Sequence, residues 1–267
     1  MIIFLKLGGS LITDKTRVEH ARRPVIRRLA REVAAARTAN SDLQLVLGHG
    51  SGSFGHVAAK KYGTRSGVKD QSGWRGFAEV AASAARLNQI VTEAFIAEGV
   101  PVISLPPSAS ARCEDGELIY LDTFGLRAAL DQGLVPLVQG DVAFDTVRGA
   151  TIVSTEDVFV YLAREVEPAH VLLAGEVAGV YDSAEMTGRV IEHLTPDTVG
   201  QHVAALGGSH GTDVTGGMID KVQQMLHLIH HLPGVTVRIF SGAKPGAVRT
   251  LLIDPLYPLG TVITHDR

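Results

Sequence analysis

A chain of 267 residues can bury a sizeable core, and 45% hydrophobic with 20% charged residues is the balance of an ordinary soluble globular enzyme. A net charge of −3 leaves no basic excess, which argues against a nucleic-acid partner. No apolar run is long enough to span a bilayer, residues 2–7 are too short for a signal peptide, and Cys113 is the only cysteine. A cytoplasmic setting with no membrane partner and no internal disulfide is the expectation.

Residues 2–7, Ile-Ile-Phe-Leu-Lys-Leu, read as a strand opened by Gly8-Gly9-Ser10. Lys6 is out of place there. In a strand buried on both faces a lysine costs several kcal/mol unless its ammonium meets a negative partner; on an edge strand it would be solvated instead. A polar loop over residues 13–23 carries Asp14 and Lys15, and Pro24 sits in the first turn of a helix running to about Thr38.

Residues 43–56 read Leu-Gln-Leu-Val-Leu-Gly-His-Gly-Ser-Gly-Ser-Phe-Gly-His. The apolar run is too short for a stable helix and predicts a buried parallel strand. Gly48, Gly50, Gly52 and Gly55 remove side chains where a ligand's oxygens would clash and let successive N–H groups converge. With a helix starting near Ser53, the turn is an anion seat that His56 can reach from about one helical turn away. Gly50-x-Gly52-x-x-Gly55 also fits the dinucleotide fingerprint formally. The acidic residue that fingerprint wants would be Asp70, in a polar, glycine-bearing segment with no strand before it. A turn without a ligand needs fewer glycines, so phosphate is the favoured occupant.

Helices are expected over residues 53–62 and 74–98. The second is rich in alanine, and its small residues permit close packing or leave room for an apolar tail. A strand over 100–105 is followed by a hairpin around Asp115-Gly116, a helix over 123–132, and a buried strand over 134–139. That strand ends in Gly140-Asp141, which places Asp141 at a strand's C-terminal end, where open α/β sheets assemble their sites. A second hairpin pairs 143–144 with 151–153, and Ser154 caps a helix reaching about residue 165. Then come a strand over 170–174, a loop over 175–182, an extended piece over 190–194 and a helix over 196–206 starting at Pro196. A mobile glycine-rich loop over 207–217 leads into a helix over 218–231 with Lys221 in its first turn, and 235–240, 243–252 and 260–264 finish the pattern. His227, His230 and His231 read as a solvated face, since a metal site needs a complete ligand set. The alternation predicts an α/β fold: a three-layer αβα sandwich with a mostly parallel central sheet, as a single domain over residues 1–267.

One sheet edge thus collects Gly8-Gly9, the turn over 50–55, Lys6, Lys15, His56, Asp141 and Lys221. Phosphoryl transfer asks mainly for positioning and charge neutralisation, which such a set can supply. Neither the P-loop motif nor the protein-kinase motif set occurs in the chain.

Over essentially its whole length the chain resembles the amino acid kinase superfamily. The matching pieces are Lys6-Leu7-Gly8-Gly9-Ser10, residues 48–52, Gly140-Asp141, residues 177–182, and Thr215-Gly216-Gly217-Met218 with Lys221. Within it, residues 10–15, 50–56 and 154–157 are most similar to the isopentenyl phosphate kinases, which make isopentenyl diphosphate from isopentenyl phosphate and ATP. His56 carries most of that likeness.

The resemblance implies that Lys6 and Lys221 hold the β- and γ-phosphates of ATP, with Gly8, Gly9, Ser10 and Gly52 adding contacts and Glu176 and Gly216 on the nucleotide side. Lys15 would stabilise the transferring phosphoryl, and Asp141 would orient Lys6 and Lys15. His56, Ser51, Gly52 and Thr155 would grip the phosphate of a small-molecule acceptor. Mg2+ would bridge the ATP phosphates without a dedicated protein cage, and the ionised acceptor needs no general base. The tail would lie among Phe77, Ala81, Ala84, Val142 and Ile152, on the N-terminal, acceptor side of a homodimer subunit whose C-terminal part takes ATP. Gly175, Glu176 and Ala178 depart from the Thr-Asp pattern of many relatives. A kinase of the same fold acting on fosfomycin or another small anion, and a non-catalytic nucleotide sensor, are the alternatives.

Overall fold

The computed structural model describes residues 1–183, 188–202 and 217–266, without the side chains of residues 56–58. The strands are β1 (Ile2–Leu7), β2 (Gln44–His49), β3 (Val102–Ser104), β4 (Arg112–Glu114), β5 (Glu117–Tyr120), β6 (Val135–Gln139), β7 (Asp141–Asp145), β8 (Gly149–Val153), β9 (His170–Gly175), β10 (His193–Leu194), β11 (Thr236–Ser241) and β12 (Thr261–Ile263). Eight of them form one sheet in the order β10-β12-β11-β9-β1-β2-β6-β3, parallel throughout except for the β11–β12 pair.

Helices α1 (Gly9–Ile12), α2 (Arg23–Ala39), α3 (Gly52–Tyr62), α4 (Gln71–Ala97), α5 (Phe124–Asp131), α6 (Thr155–Val166), α7 (Pro196–Val199), α8 (Met218–His231) and α9 (Ala247–Ile253) connect the strands. The period of two along β1 sorts its side chains between two helix layers. Ile3, Leu5 and Leu7 pack with Ile26 and Leu29 of α2, Leu87 and Val91 of α4, and Leu251 of α9. Phe4 faces the other way, towards Val158 and Phe159 of α6 and Val222 and Met225 of α8. The three-layer sandwich follows from that split, and it puts Lys6, two residues beyond Phe4, on the α6–α8 side.

The two expected hairpins exist but are not separate. Strands β5-β4-β7-β8 form a single second sheet, because β4 pairs with β7 in parallel across a long sequence gap. Helix α4 begins at Gln71 with Asp70 as its cap, whose carboxylate accepts the Gly73 N–H at 2.8 Å. Asp70 is thereby accounted for, and the dinucleotide reading loses its acidic partner. Among the described residues no helix is long and apolar enough to cross a membrane. Of the glycine-rich loop over 207–217 only Gly217 is described; Gly216, the end of the helix expected over 196–206, and the ring of His56 lie outside the described residues.

Candidate active site

Parallel strands bring their C-terminal ends to one edge, and main-chain bonds stitch the turns there side by side. Gly8 N–H donates to Ala174 O at 2.8 Å, Gly50 N–H to Leu7 O at 3.0 Å, and Gly140 N–H to His49 O at 3.2 Å. Above these turns lies a cavity of about 190 Å³. Lys6, Gly8, Gly9 and Ser10 line it from the first turn, Ser51 and Gly52 from the second, and Lys15 from the loop after α1. Thr155, Glu176 and Lys221 complete the walls. Ten of the residues singled out from sequence thus share one enclosure.

Packing adds its own demand for some of these glycines. A Cβ on Gly48 would stand 2.7 Å from the Phe159 ring, so that glycine admits α6 rather than a ligand. Gly9 and Gly52 press backbone to backbone: a Cβ on Gly9 would lie 2.5 Å from Gly52 N, and Gly52 adopts φ +51, which favours glycine. Only two glycine turns can approach this closely.

Lys6 is 8% exposed at the centre of the sheet, and its ammonium forms an ion pair with Glu156, itself 5% exposed in the first turn of α6. Burial pushes the Glu156 carboxyl up, but the Lys6 and Lys221 ammoniums outweigh it and hold the group below its ordinary value of 4.5. The carboxylate pairs with Lys6 and feels the Lys221 charge, which leaves the trio net positive at the cavity wall. Sequence reasoning missed Glu156, taking residues 154–157 as a cap and a phosphate grip. The signal was present: a buried Lys6 demands a carboxylate, and Glu156 starts the helix covering its face of β1.

Two expected roles shift. Of the two lysines Asp141 is expected to orient, Lys6 and Lys15, the first forms its ion pair with Glu156. Asp141 Oδ1 instead accepts the Val142 N–H at 2.9 Å, and Oδ2 accepts the Ser108 N–H at 3.3 Å and Gln139 Nε2 at 3.4 Å. Gly140-Asp141 is where the chain leaves the central sheet for the second one, so the carboxylate serves that junction and the cavity wall there is Gly140. Burial pushes the Asp141 carboxyl up, against the pull of these bonds. Thr155 lines the cavity, yet its hydroxyl donates to His49 O at 2.7 Å. That bond ties the start of α6 to the end of β2.

His49 is a further residue the sequence did not flag. It is wholly buried, with Nδ1 3.2 Å from Gly50 O and Nε2 3.2 Å from Asn88 Nδ2, an arrangement that assigns the proton to Nδ1. Burial, with the Lys6 charge adding to it, pushes the imidazole down to about 4, so a neutral ring braces the second glycine turn. An unfolded His49 binds its proton near 6.5 and the folded one near 4, so stability is lost as pH falls through that window, by about 3 kcal/mol. His49→Gln should flatten the stability curve between pH 6.5 and 4 in urea melts. An unchanged slope would remove His49 as its cause.

Beside the cavity, Ala59, Val80 and Val142 form a small apolar cluster joined by Phe77, Ala81 and Ile152. Ile152 also lines the cavity. Four of the five residues expected around a tail are therefore together, and Ala84, buried on α4, is outside that cluster. Trp74, Phe77 and Phe144 group there in tilted and edge-to-face contacts, with ring centroids 5.0 to 6.0 Å apart.

A parallel sheet whose glycine turns and lysines enclose one such cavity defines a small-molecule kinase scaffold. The amino acid kinase family model matches residues 1–241, and the chain belongs to that family. Its relatives include the isopentenyl phosphate kinase of Methanothermobacter thermautotrophicus, 34% identical over 94% of this chain and 95% of that protein. The isopentenyl phosphate kinase of Haloferax volcanii is 36% identical over 92% of this chain and 98% of its own length. Among solved structures, one of an isopentenyl phosphate kinase superposes with a TM-score of 0.84 at 30% identity, covering 99% of this chain and all of that one.

Proposed function

We propose that this chain transfers the γ-phosphoryl group of ATP to isopentenyl phosphate, giving isopentenyl diphosphate and ADP. The observation that carries the substrate is Ile152, shared by the lysine-walled cavity and the apolar cluster that α3, α4, β7 and β8 form, as a phosphate with a short hydrocarbon tail requires. Lys6, paired with Glu156, and Lys221 would hold the β- and γ-phosphates against Gly8, Gly9, Ser10 and Gly52. Glu176 and Gly216 would belong to the nucleotide side. Ser51 and His56 would hold the acceptor phosphate, one of whose ionised oxygens attacks the γ-phosphorus as the bond to the β-bridging oxygen breaks and ADP leaves. Lys15 would meet the transferring phosphoryl, whose charge it offsets.

Magnesium would travel with the nucleotide. Among the described residues no group of three His, Cys, Asp or Glu could hold a metal, so its ligands would be phosphate oxygens, where it neutralises charge. The reading extends to a single-domain subunit of a homodimer working in the cytoplasm. It is tested by ADP release from ATP and magnesium with isopentenyl phosphate, dimethylallyl phosphate, fosfomycin, acetylglutamate or uridylate as acceptor. Isopentenyl phosphate should give the highest kcat/KM. Preference for fosfomycin or uridylate would sink the assignment, and no release with any acceptor would favour a nucleotide sensor.

A further inference from the structure

Lys15 rides on an excursion of the chain that leaves α1 at Thr13, whose Oγ1 accepts the Ser53 N–H of α3 at 2.9 Å. An isolated bridge between Thr13 and Ala21 closes the loop. Inside it, Asp14 N–H donates to His20 O at 2.9 Å, and Asp14 Oδ1 accepts from Thr16 N–H at 2.9 Å and Thr16 Oγ1 at 2.6 Å. Residues 15–18 are exposed.

The far limb adds a second attachment, and it reaches α4. Glu19 N–H donates to Ser53 O at 3.3 Å and His20 N–H to Ser53 Oγ at 3.1 Å, tying the limb to the first turn of α3. The Glu19 side chain then crosses to α4. Its Oε2 accepts Arg86 Nε at 2.9 Å, Arg86 Nη2 bonds Oε1, and Oε1 also receives Ser83 Oγ at 2.6 Å. Ser83 is 1% exposed and its hydroxyl also contacts Phe54 O on α3, so its one proton is shared between the two acceptors. The Arg86 bond, reinforced by Ser83 against desolvation, holds the Glu19 carboxyl below its usual range, and the group is charged at neutral pH.

The backbone supplies a second sign. Glu19 has φ +48, a conformation glycine adopts freely and an L side chain resists. Strain of this kind persists where surrounding contacts over-determine it, and here those contacts converge on the carboxylate. The helix it grips is also the one that carries Phe77, Val80 and Ala81 beside the cavity.

We infer that Glu19 is a positioning residue for phosphoryl transfer: its clamp on Ser83 and Arg86 holds the Lys15 loop against α3 and α4, fixing Lys15 over the cavity that Ser51 and Gly52 line. This rests on the proposed role of Lys15 at the transferring phosphoryl. Loss of the clamp lets Lys15 wander in the transition state without disturbing ground-state nucleotide contacts made by other residues.

The test is a double-mutant cycle read by steady-state kinetics with ATP and isopentenyl phosphate. Glu19→Gln should lower kcat about tenfold with KM for ATP within about twofold, since small misplacements of a catalytic group cost rate rather than binding. Lys15→Ala should lower kcat by about a hundredfold, and adding Glu19→Gln to it should cost nothing more, because nothing is left to position. Arg86→Gln alters a half-exposed side chain, keeps the fold safe, and should reproduce the kcat loss of Glu19→Gln in part. Wild-type kcat in both Glu19→Gln and Arg86→Gln, or a loss that multiplies undiminished onto Lys15→Ala, overturns the clamp while leaving the role of Lys15 intact. Full activity in Lys15→Ala overturns that role and the clamp together.

Discussion

Gly9→Ala should lower kcat by about a hundredfold while leaving a folded protein destabilised by about 1–3 kcal/mol. The added Cβ would sit 2.5 Å from Gly52 N and 2.7 Å from Gly52 Cα. Both are main-chain atoms, so no side chain can swing aside, and the two glycine turns must part. One turn carries Ser10 and continues from Lys6; the other carries Ser51 and opens the helix that bears His56. Separation by a fraction of an ångström to one ångström therefore misaligns donor and acceptor sides together. The matched control is Gly234→Ala, where an added Cβ meets nothing within 4 Å and kcat should stay at the wild-type value. Paired kinetics and thermal melts decide it. If Gly9→Ala turned over normally, the contact between the turns would have no part in holding the site.

Most elements were legible because their signals are strong: β1, apart from Lys6, and the middle of β2 are apolar runs, and α2 and α6 start at Pro24 and Ser154, whereas α4 starts three residues before the expected 74 because Asp70, read as part of a loop, is its cap. The site was legible in its cations, since Lys6, Lys15 and Lys221 stand next to strand ends or helix starts. What stayed hidden depends on distant segments meeting. Gly48 reads like its neighbours in the glycine turn until Phe159 of α6 is seen against it. Asp141 sits at a strand end, where sites usually form, but the strand there changes sheets and its carboxylate turns to Ser108. The parallel pairing of β4 with β7 joins two hairpins that local patterning treats as independent. Glu19 and Arg86 are ordinary surface charges in the sequence, and only the fold shows that one loop and one helix share them.

Glu156→Ala should be among the most damaging single changes to the chain, and for two separable reasons. It leaves the Lys6 ammonium buried at 8% exposure with its carboxylate partner gone, which costs about 3–5 kcal/mol of stability. It also frees Lys6 and Lys221 to repel one another, so kcat should fall by at least about a hundredfold. A double replacement, Lys6→Met with Glu156→Leu, distinguishes the two effects. Burying two apolar side chains in place of a buried ion pair is often neutral or stabilising, so the melting temperature should return near wild type while activity stays lost. The pH dependence follows from the same pair. Glu156 titrates below 4.5 in the folded chain and at about that value when unfolded, so its contribution is present above pH 4.5 and disappears as pH falls through the lower, folded value. The gap in melting temperature between wild type and Glu156→Gln should accordingly be constant from neutral pH down to about 4.5 and close below it. A gap that instead widened on acidification would mean that the carboxyl is protonated in the native protein and that Lys6 owes its burial to some other group.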